Sequence, residues 1–125
     1  MIVTDQRVSR FVSDVVGKGF VPPFTCMGIE KNGEIIAGVI FNVFEGNDVH
    51  FSAAGKGWTK GFLAEVGDYV FRQLKCERMT ALTEQEKVMK LALRLGGQVE
   101  GKLRNHFGAG RDAILIGILK DDYPW

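Results

Sequence analysis

Cysteine is scarce: Cys26 and Cys76 are the only two in 125 residues. They fit no metal-ligand or redox spacing, which argues against a disulfide framework, a zinc module and any metal held by thiolates. Both stand in apolar surroundings and are expected to be buried free thiols. No charge of one sign prevails, with 16 Lys+Arg against 15 Asp+Glu and a net charge of +1. A nucleic-acid protein usually carries a strong basic excess, so nucleic acid is not expected among the partners. Long apolar runs are also missing. The longest uncharged one, Ile35 to Phe44, is about half of the roughly 20 residues that a membrane helix needs. The start, MIVTDQRVSR, has no apolar stretch of signal-peptide type. A cytoplasmic protein without membrane contacts is expected.

What is present is ordinary apart from glycine. Apolar residues make up 46% and charged residues 25%, the averages of soluble globular chains, which argues against disorder. The length suits one domain over residues 1–125. Sixteen glycines are nearly twice the usual share of about 7%. They must serve turns or close approaches of the backbone.

The spacing of Val8, Phe11, Val12 and Val15 predicts a helix from Thr4 to Val16, with Thr4 as N-cap and Gly17 and Gly19 as its end. Pro22-Pro23 then imposes an extended entry. Phe24–Glu30 and Glu34–Phe44 read as strands joined through Asn32-Gly33, a strong hairpin signal. Glu45 to Asp48 is a second turn, leading to a strand Val49–Ala53. Leu63, Val66, Val70 and Leu74 mark a second helix, and Met79–Thr83 a short buried strand. Glu84–Leu95 is a third helix closed by Gly96-Gly97. Gln98–Arg104 and Asp112–Leu119 are final strands, with Asn105–Arg111 as a polar loop holding His106. The tail, Tyr123-Pro124-Trp125, is expected to fray. Phe41, Phe44, Phe51, Phe62 and Phe71 are expected to pack in the core. The order α-β-β-β-α-β-α-β-β contains one β-α-β crossover, from Val49 to Met79, which sets two strands parallel. The fold class is α/β (α+β): a mixed, mostly antiparallel sheet with one parallel pair and helices on its faces.

The segment AAGKGWTKGF, between a strand and a helix, carries the most information. Amides at a helix N-terminus lack intrahelical partners and point at anions. Gly57 and Gly61 let a phosphate approach the main chain, and Lys56 and Lys60 add positive charge. The segment is either a pyrophosphate cradle or a flexible turn with solvated lysines. It is neither a P-loop nor GxGxxG. Trp58 either covers a ligand there or covers the sheet edge.

The order of elements, with its strand–Gly-rich turn–helix–strand–helix core, resembles the GNAT superfamily of acyl-CoA-dependent N-acyltransferases. In LALRLGGQVEGKLRNHF, Leu95-Gly96, Glu100-Gly101, Lys102 and Arg104 resemble the ribosomal-protein-alanine acetyltransferase subgroup, as does GDYVFRQLKCERMTALTEQEK. The likeness runs from about Gly33 to Leu119. The family's turn reads Arg/Gln-x-x-Gly-x-Gly/Ala. Here Gly61 takes its first glycine, with Trp58 and Leu63 at the flanking positions, or Gly57 does, with Thr59 as the second small residue. The N-terminal half holds one helix where many members also have another strand and helix, so this would be a minimal version.

The resemblance implies acetyl transfer from acetyl-CoA to an amine of a small molecule, peptide or protein, by direct attack in a ternary complex. It implies that the parallel strands splay apart and leave a slot for the thioester. Backbone groups of Phe51, Ser52 and Ala53 would pair with the pantetheine arm and polarise the thioester carbonyl. Lys56, Gly57, Trp58, Thr59, Lys60 and Gly61 would hold the pyrophosphate, and Gln85 stands where relatives often have an Asn touching the cofactor. Ala92 stands where many relatives have a Tyr acid. His50, on the central strand, and Glu84, at the end of the next, are the candidate bases; Glu84 as the N-cap of its helix also has an ordinary structural reading. No metal is implied. The alternative is a catalytically inactive module of the same fold that binds CoA or a protein. A homodimer would use the last strand or the Tyr123-Pro124-Trp125 tail.

Overall fold

Helix α1 (Gln6–Val16) begins at Asp5, whose carboxylate accepts from the Arg7 amide. Asp5 displaces the expected Thr4 from the N-cap. Thr4 instead follows a short strand, β1 (Ile2–Val3), which pairs with Ile29 and Gly28 and which the sequence pattern did not suggest. The computed structural model describes residues 1–125. It continues with β2 (Thr25–Lys31), β3 (Glu34–Asn42) and β4 (Asp48–Gly55). Asn32 and Gly33, both at positive φ, make the tight β2–β3 turn. Helix α2 (Lys60–Gly67) runs on into a π-helical stretch, Asp68–Gln73. Then come β5 (Arg78–Thr83), α3 (Glu86–Arg94), β6 (Gln98–Gly108) and β7 (Arg111–Leu119).

The strands form one sheet in the order β1-β2-β3-β4-β5-β7-β6. All neighbours are antiparallel except β4 and β5. Helix α1 lies across β2, β3 and β4 on one face, and α2 and α3 cover the other. No helix is long and apolar enough to cross a membrane.

Three expectations need correction. Residues 105–111 are not a long polar loop: β6 runs on to Gly108 and β7 starts at Arg111, only Ala109 and Gly110 form a turn between them, and His106 lies on β6. Asn105 sits at positive φ; its side chain accepts from Gly110 N while its own amide donates to Asp112, so a polar kink replaces regular alternation. β3 stops at Asn42 because Val43 takes φ 50, and Phe44 is then 56% exposed rather than packed. The tail does not fray: the Tyr123 hydroxyl donates to Leu63 O at 2.6 Å. Phe41, Phe51, Phe62 and Phe71 are buried as expected, and Gly96 and Gly97 close α3 by donating to Leu93 O and Ala92 O.

Glycine decides how closely α1 approaches the sheet. Gly28 and Gly38 are directly opposed on β2 and β3, and Ala54 stands next in that row on β4. A Cβ on Gly38 would lie 2.8 Å from Val8 Cγ1 and 2.9 Å from Val12 Cγ2. Val8 and Val12, both fully buried, fill the space that the missing side chains leave. Packing at interior density tolerates no added atoms without movement. Gly38→Leu is therefore expected to lift α1 and lower unfolding stability by about 1–3 kcal/mol or more, read as a lower urea midpoint. Gly19→Ala, with nothing near its added Cβ, is the control, and equal midpoints for the two variants would overturn this packing.

Candidate functional site

The parallel pairing of β4 with β5 starts at Asp48–Arg78 and ends at Phe51–Ala81. Past that rung each strand keeps only its outer neighbour. Val39, Gly38 and Ala37 of β3 still hold Ala53, Ala54 and Gly55. Leu115 and Ile114 of β7 still hold Leu82 and Thr83. The inner edges of Ser52–Gly55 and Leu82–Thr83 thus have no strand between them. The Gln85 side chain reaches into this opening, where its Nε2 donates to Ala53 O at 3.0 Å. Its backbone amide is fixed by Thr83 Oγ1 at 2.9 Å. On the α1 side the opening narrows to a slot of about 20 Å³ among Val15, Val16, Ser52, Leu82 and Phe107, room for about one water.

The turn that follows β4 is built by its own short-range chemistry. The Lys56 amide donates to Ile36 O, which ties the start of the turn to β3. Gly55 and Gly57 take positive φ. A Cβ on Gly55 would run into the backbone of Ile36 and Ala37, so only glycine lets the two strands lie this close. Thr59 is the N-cap of α2 and its Oγ1 accepts from Phe62 N at 3.1 Å. The amides from Gly57 through Gly61 donate to no protein group. Both proposed registers of the turn therefore place bare amides at the helix start. Trp58 is half-buried and packs on Phe62 with centroids 5.6 Å apart, so its ring anchors the turn to the core. Lys56 and Lys60 are exposed. The Lys60 ammonium lies 5.5 Å from the centroid of the Trp125 ring.

The residues singled out in the sequence fall into three positions. Ser52, Ala53 and Gln85 meet at the opening, and residues 56–61 form the turn at its end. Phe51 contributes main chain only, since its ring is buried in the core under α2 and α3. His50 and Glu84 lie on or near the α1 side and do not meet each other. His50 Nε2 is 4.0 Å from Asp48 Oδ2. That carboxylate is oriented by Thr80 Oγ1, which donates to Asp48 at 2.9 Å and accepts from Arg78 Nη2 at 3.2 Å. Arg78 is paired in turn with Glu100 at 2.7 Å. Glu45, Asp48 and His50 also bring ligand atoms within 4.8 Å of one another, a grouping their spacing did not announce. Burial, followed by the charges of Lys18 and His50, pushes the His106 imidazole below its usual range.

Glu84 is differently placed. The N-cap of α3 is Gln85, not Glu84. The Glu84 carboxylate is instead gripped by the Arg111 fork, with Nε at 3.2 Å from Oε2 and Nη2 on Oε1. Those hydrogen bonds hold its pKa below the ordinary carboxylate range. A carboxylate so stabilised is a poorer proton acceptor. Arg111 is 27 residues away in the chain, and no local pattern announces the pair.

No protein-family model matches the chain, and no curated protein matches it in sequence. Solved structures do match. Mutant forms of the spermidine/spermine N-acetyltransferase SpeG from Vibrio cholerae superpose with a TM-score of 0.72, over 98% of this chain and 96% of that one, at 17% identity. A protein described as a probable acetyltransferase gives a TM-score of 0.65 over 80% of this chain and 63% of its own, at 18% identity. Neither description points to the ribosomal-protein-alanine acetyltransferase subgroup. At such identities the likeness speaks for architecture and not for substrate. The open β4–β5 pair, the turn and the helices on both faces are the acyl-CoA N-acyltransferase arrangement, and the chain has the GNAT fold.

Proposed function

We propose that the protein transfers an acetyl group from acetyl-CoA to an amine. The observation that carries this reading is the opening past Phe51 and Ala81, which ends at the bare amides of Gly57 to Gly61. An extended chain bearing amides, a thioester and a diphosphate matches that sequence of groups. Ala53 O already accepts from a carboxamide N–H, that of Gln85. An amide of the pantetheine arm would exchange one such bond for another at little net cost. The amides at the start of α2 suit a diphosphate, helped by the positive end of the helix and by Lys56 and Lys60.

In the transfer, the amine nitrogen attacks the thioester carbonyl carbon. The new C–N bond forms, the C–S bond breaks, and the thiolate leaves with the CoA. Main-chain amides beside the opening stabilise the negative oxygen that develops. The amine must give up a proton, and His50 is the base we assign. It shares the α1 side with Ser52, two residues along β4, about 6.6 Å away at the usual strand rise. The proton would pass to the imidazole through one bridging water. Asp48, fixed by Thr80, lies 4.0 Å from the imidazole and would balance its charge once protonated. Glu84, neutralised by Arg111, serves to hold the start of β7 beside the opening. Since the Vibrio cholerae enzyme is described as acting on spermidine and spermine, polyamines are the first acceptors to assay.

Calorimetric titration with acetyl-CoA is expected to show saturable binding, and Lys60→Glu to weaken it about tenfold by placing a negative charge at the diphosphate. Thiol release over a panel of amines should follow. Saturable binding with no thiol release from any amine would leave the inactive-module alternative standing.

His50→Gln is expected to lower kcat by 10²–10⁴, the usual contribution of a general base, with KM for acetyl-CoA little changed. Glu84→Gln should leave kcat within a few-fold; the opposite ranking would reverse the assignment. Arg111→Gln should raise the titration of Glu84 toward the ordinary carboxylate range, visible in carboxyl carbon NMR. The sign is fixed by the lowered pKa: the pair contributes above the unfolded carboxylate's pKa and is lost as pH falls through the folded one.

A further inference from the structure

The last residues have a construction that acetyl transfer does not explain. After β7 the chain makes a 3-10 turn, Lys120–Asp122, in which the Lys120 amide donates to Glu77 O. It then crosses to α2. The Tyr123 ring lies against Phe71 at 5.3 Å between centroids, and its hydroxyl donates to Leu63 O. Gly67 is what lets the ring in, since a Cβ there would come within 2.5 Å of it. Burial pushes the Tyr123 phenol well above its usual range, so the hydroxyl keeps its proton and the bond holds through neutral pH.

From that anchor the chain runs toward the N-terminus of α2, because Tyr123 meets Leu63 and Gly67 whereas Trp125 meets Lys60. Trp125 stands at an open groove of about 410 Å³ alongside Ala64 and Glu65. Its indole has Lys60 Nζ over the ring and remains 40% exposed. A large aromatic on an anchored segment, left open to solvent, loses hydrophobic stabilisation unless something else covers it. The proposed diphosphate turn is one helical turn away or less, and the part of a CoA molecule that follows the diphosphate is a nucleotide with a flat aromatic base.

We propose that Trp125 is the stacking wall for the adenine ring of acyl-CoA, and that Tyr123 is the positioning residue that fixes the wall beside the diphosphate turn. The inference rests on the acetyl-CoA reading above. Lys60 then acts twice, as a cation over the indole and as a charge at the phosphates. A base stacked on an aromatic side chain typically contributes enough that alanine in its place weakens binding about ten- to hundredfold.

The test is calorimetry on the full chain and its Trp125→Ala and Trp125→Phe variants, with three probes: acetyl-CoA, 3′,5′-ADP and acetyl-pantetheine, which has no nucleotide. Trp125→Ala is expected to weaken acetyl-CoA and 3′,5′-ADP about ten- to hundredfold and to leave acetyl-pantetheine unchanged. Trp125→Phe should retain most of the affinity. The chain holds only two tryptophans, so the fluorescence quenched by 3′,5′-ADP should largely vanish in Trp125→Phe, where only Trp58 remains. Tyr123→Phe should weaken the same two probes by a smaller factor at an unchanged acetyl-pantetheine affinity. If acetyl-CoA binds the wild type and Trp125→Ala binds it equally well, the wall is wrong while the acetyl-CoA reading survives. A wild type that binds none of the three probes overturns both.

Discussion

The site depends on two strands parting. In a sheet, an inner strand ordinarily satisfies the backbone groups of both its edges through its neighbours. Here β4 follows β3 to Gly55 and β5 follows β7 to Thr83, and their common ladder ends at Phe51–Ala81. The main-chain groups exposed beyond it cannot stay bare inside a protein at no cost. Gln85 meets that requirement for Ala53 O by lending a side-chain amide. The bond is between neutral groups and is made at the edge of an opening, so a second amide competes with it on nearly equal terms. A gap closed by packed hydrocarbon would have offered no such exchange.

The two faces of the sheet have divided roles. On the α1 side the row Gly28, Gly38, Ala54 lets the helix sit close to the strands. The C-terminal end of α1 thereby brings Val15 and Val16 to the slot beside Ser52. On the other side Phe51, Phe62, Val70 and Met79 build the main core, and that core fixes the start of α2 through Phe62 and the Trp58 ring packed at a tilt against it. The turn is therefore rigid at its helical end and tied to Ile36 at its other end. Bare amides on such a frame stay aimed in one direction, which is what recognition of an anion needs.

Much of this was legible in the residues where the controlling physics is local. Asn32-Gly33 dictated a hairpin, the apolar stripe Leu63, Val66, Val70 dictated a helix, and the crossover between β4 and β5 dictated the single parallel pair. The Gly-rich turn announced itself because bare amides and glycines are sequence-local. Failures came where local signals were ambiguous. β6 is an edge strand exposed along most of its length, so it lacks the apolar–polar alternation that marks a half-buried strand, and Asn105, Gly108 and Gly110 resemble a loop. Phe44 carried a strand-like composition past Val43, whose positive φ no neighbouring residue type predicts. The ligands of the long-range bonds were invisible for a simpler reason. Arg111 to Glu84, Gln85 to Ala53 and Tyr123 to Leu63 span 27, 32 and 60 residues, and only the assembled sheet brings them together.

The charges leave an unpaired positive cluster at the turn although the chain is nearly neutral. Most acidic groups around the site are already engaged: Glu84 by Arg111, Asp48 by Thr80 and Arg78, and Glu100 by Arg78. Lys56 and Lys60, at the turn, have no carboxylate within ion-pair distance. Lys60 instead rests against an aromatic ring, which attracts its charge without cancelling it. The field at the start of α2 is thus positive although the whole molecule is nearly balanced, because what matters at a few ångströms is which charges are unpaired and not their sum.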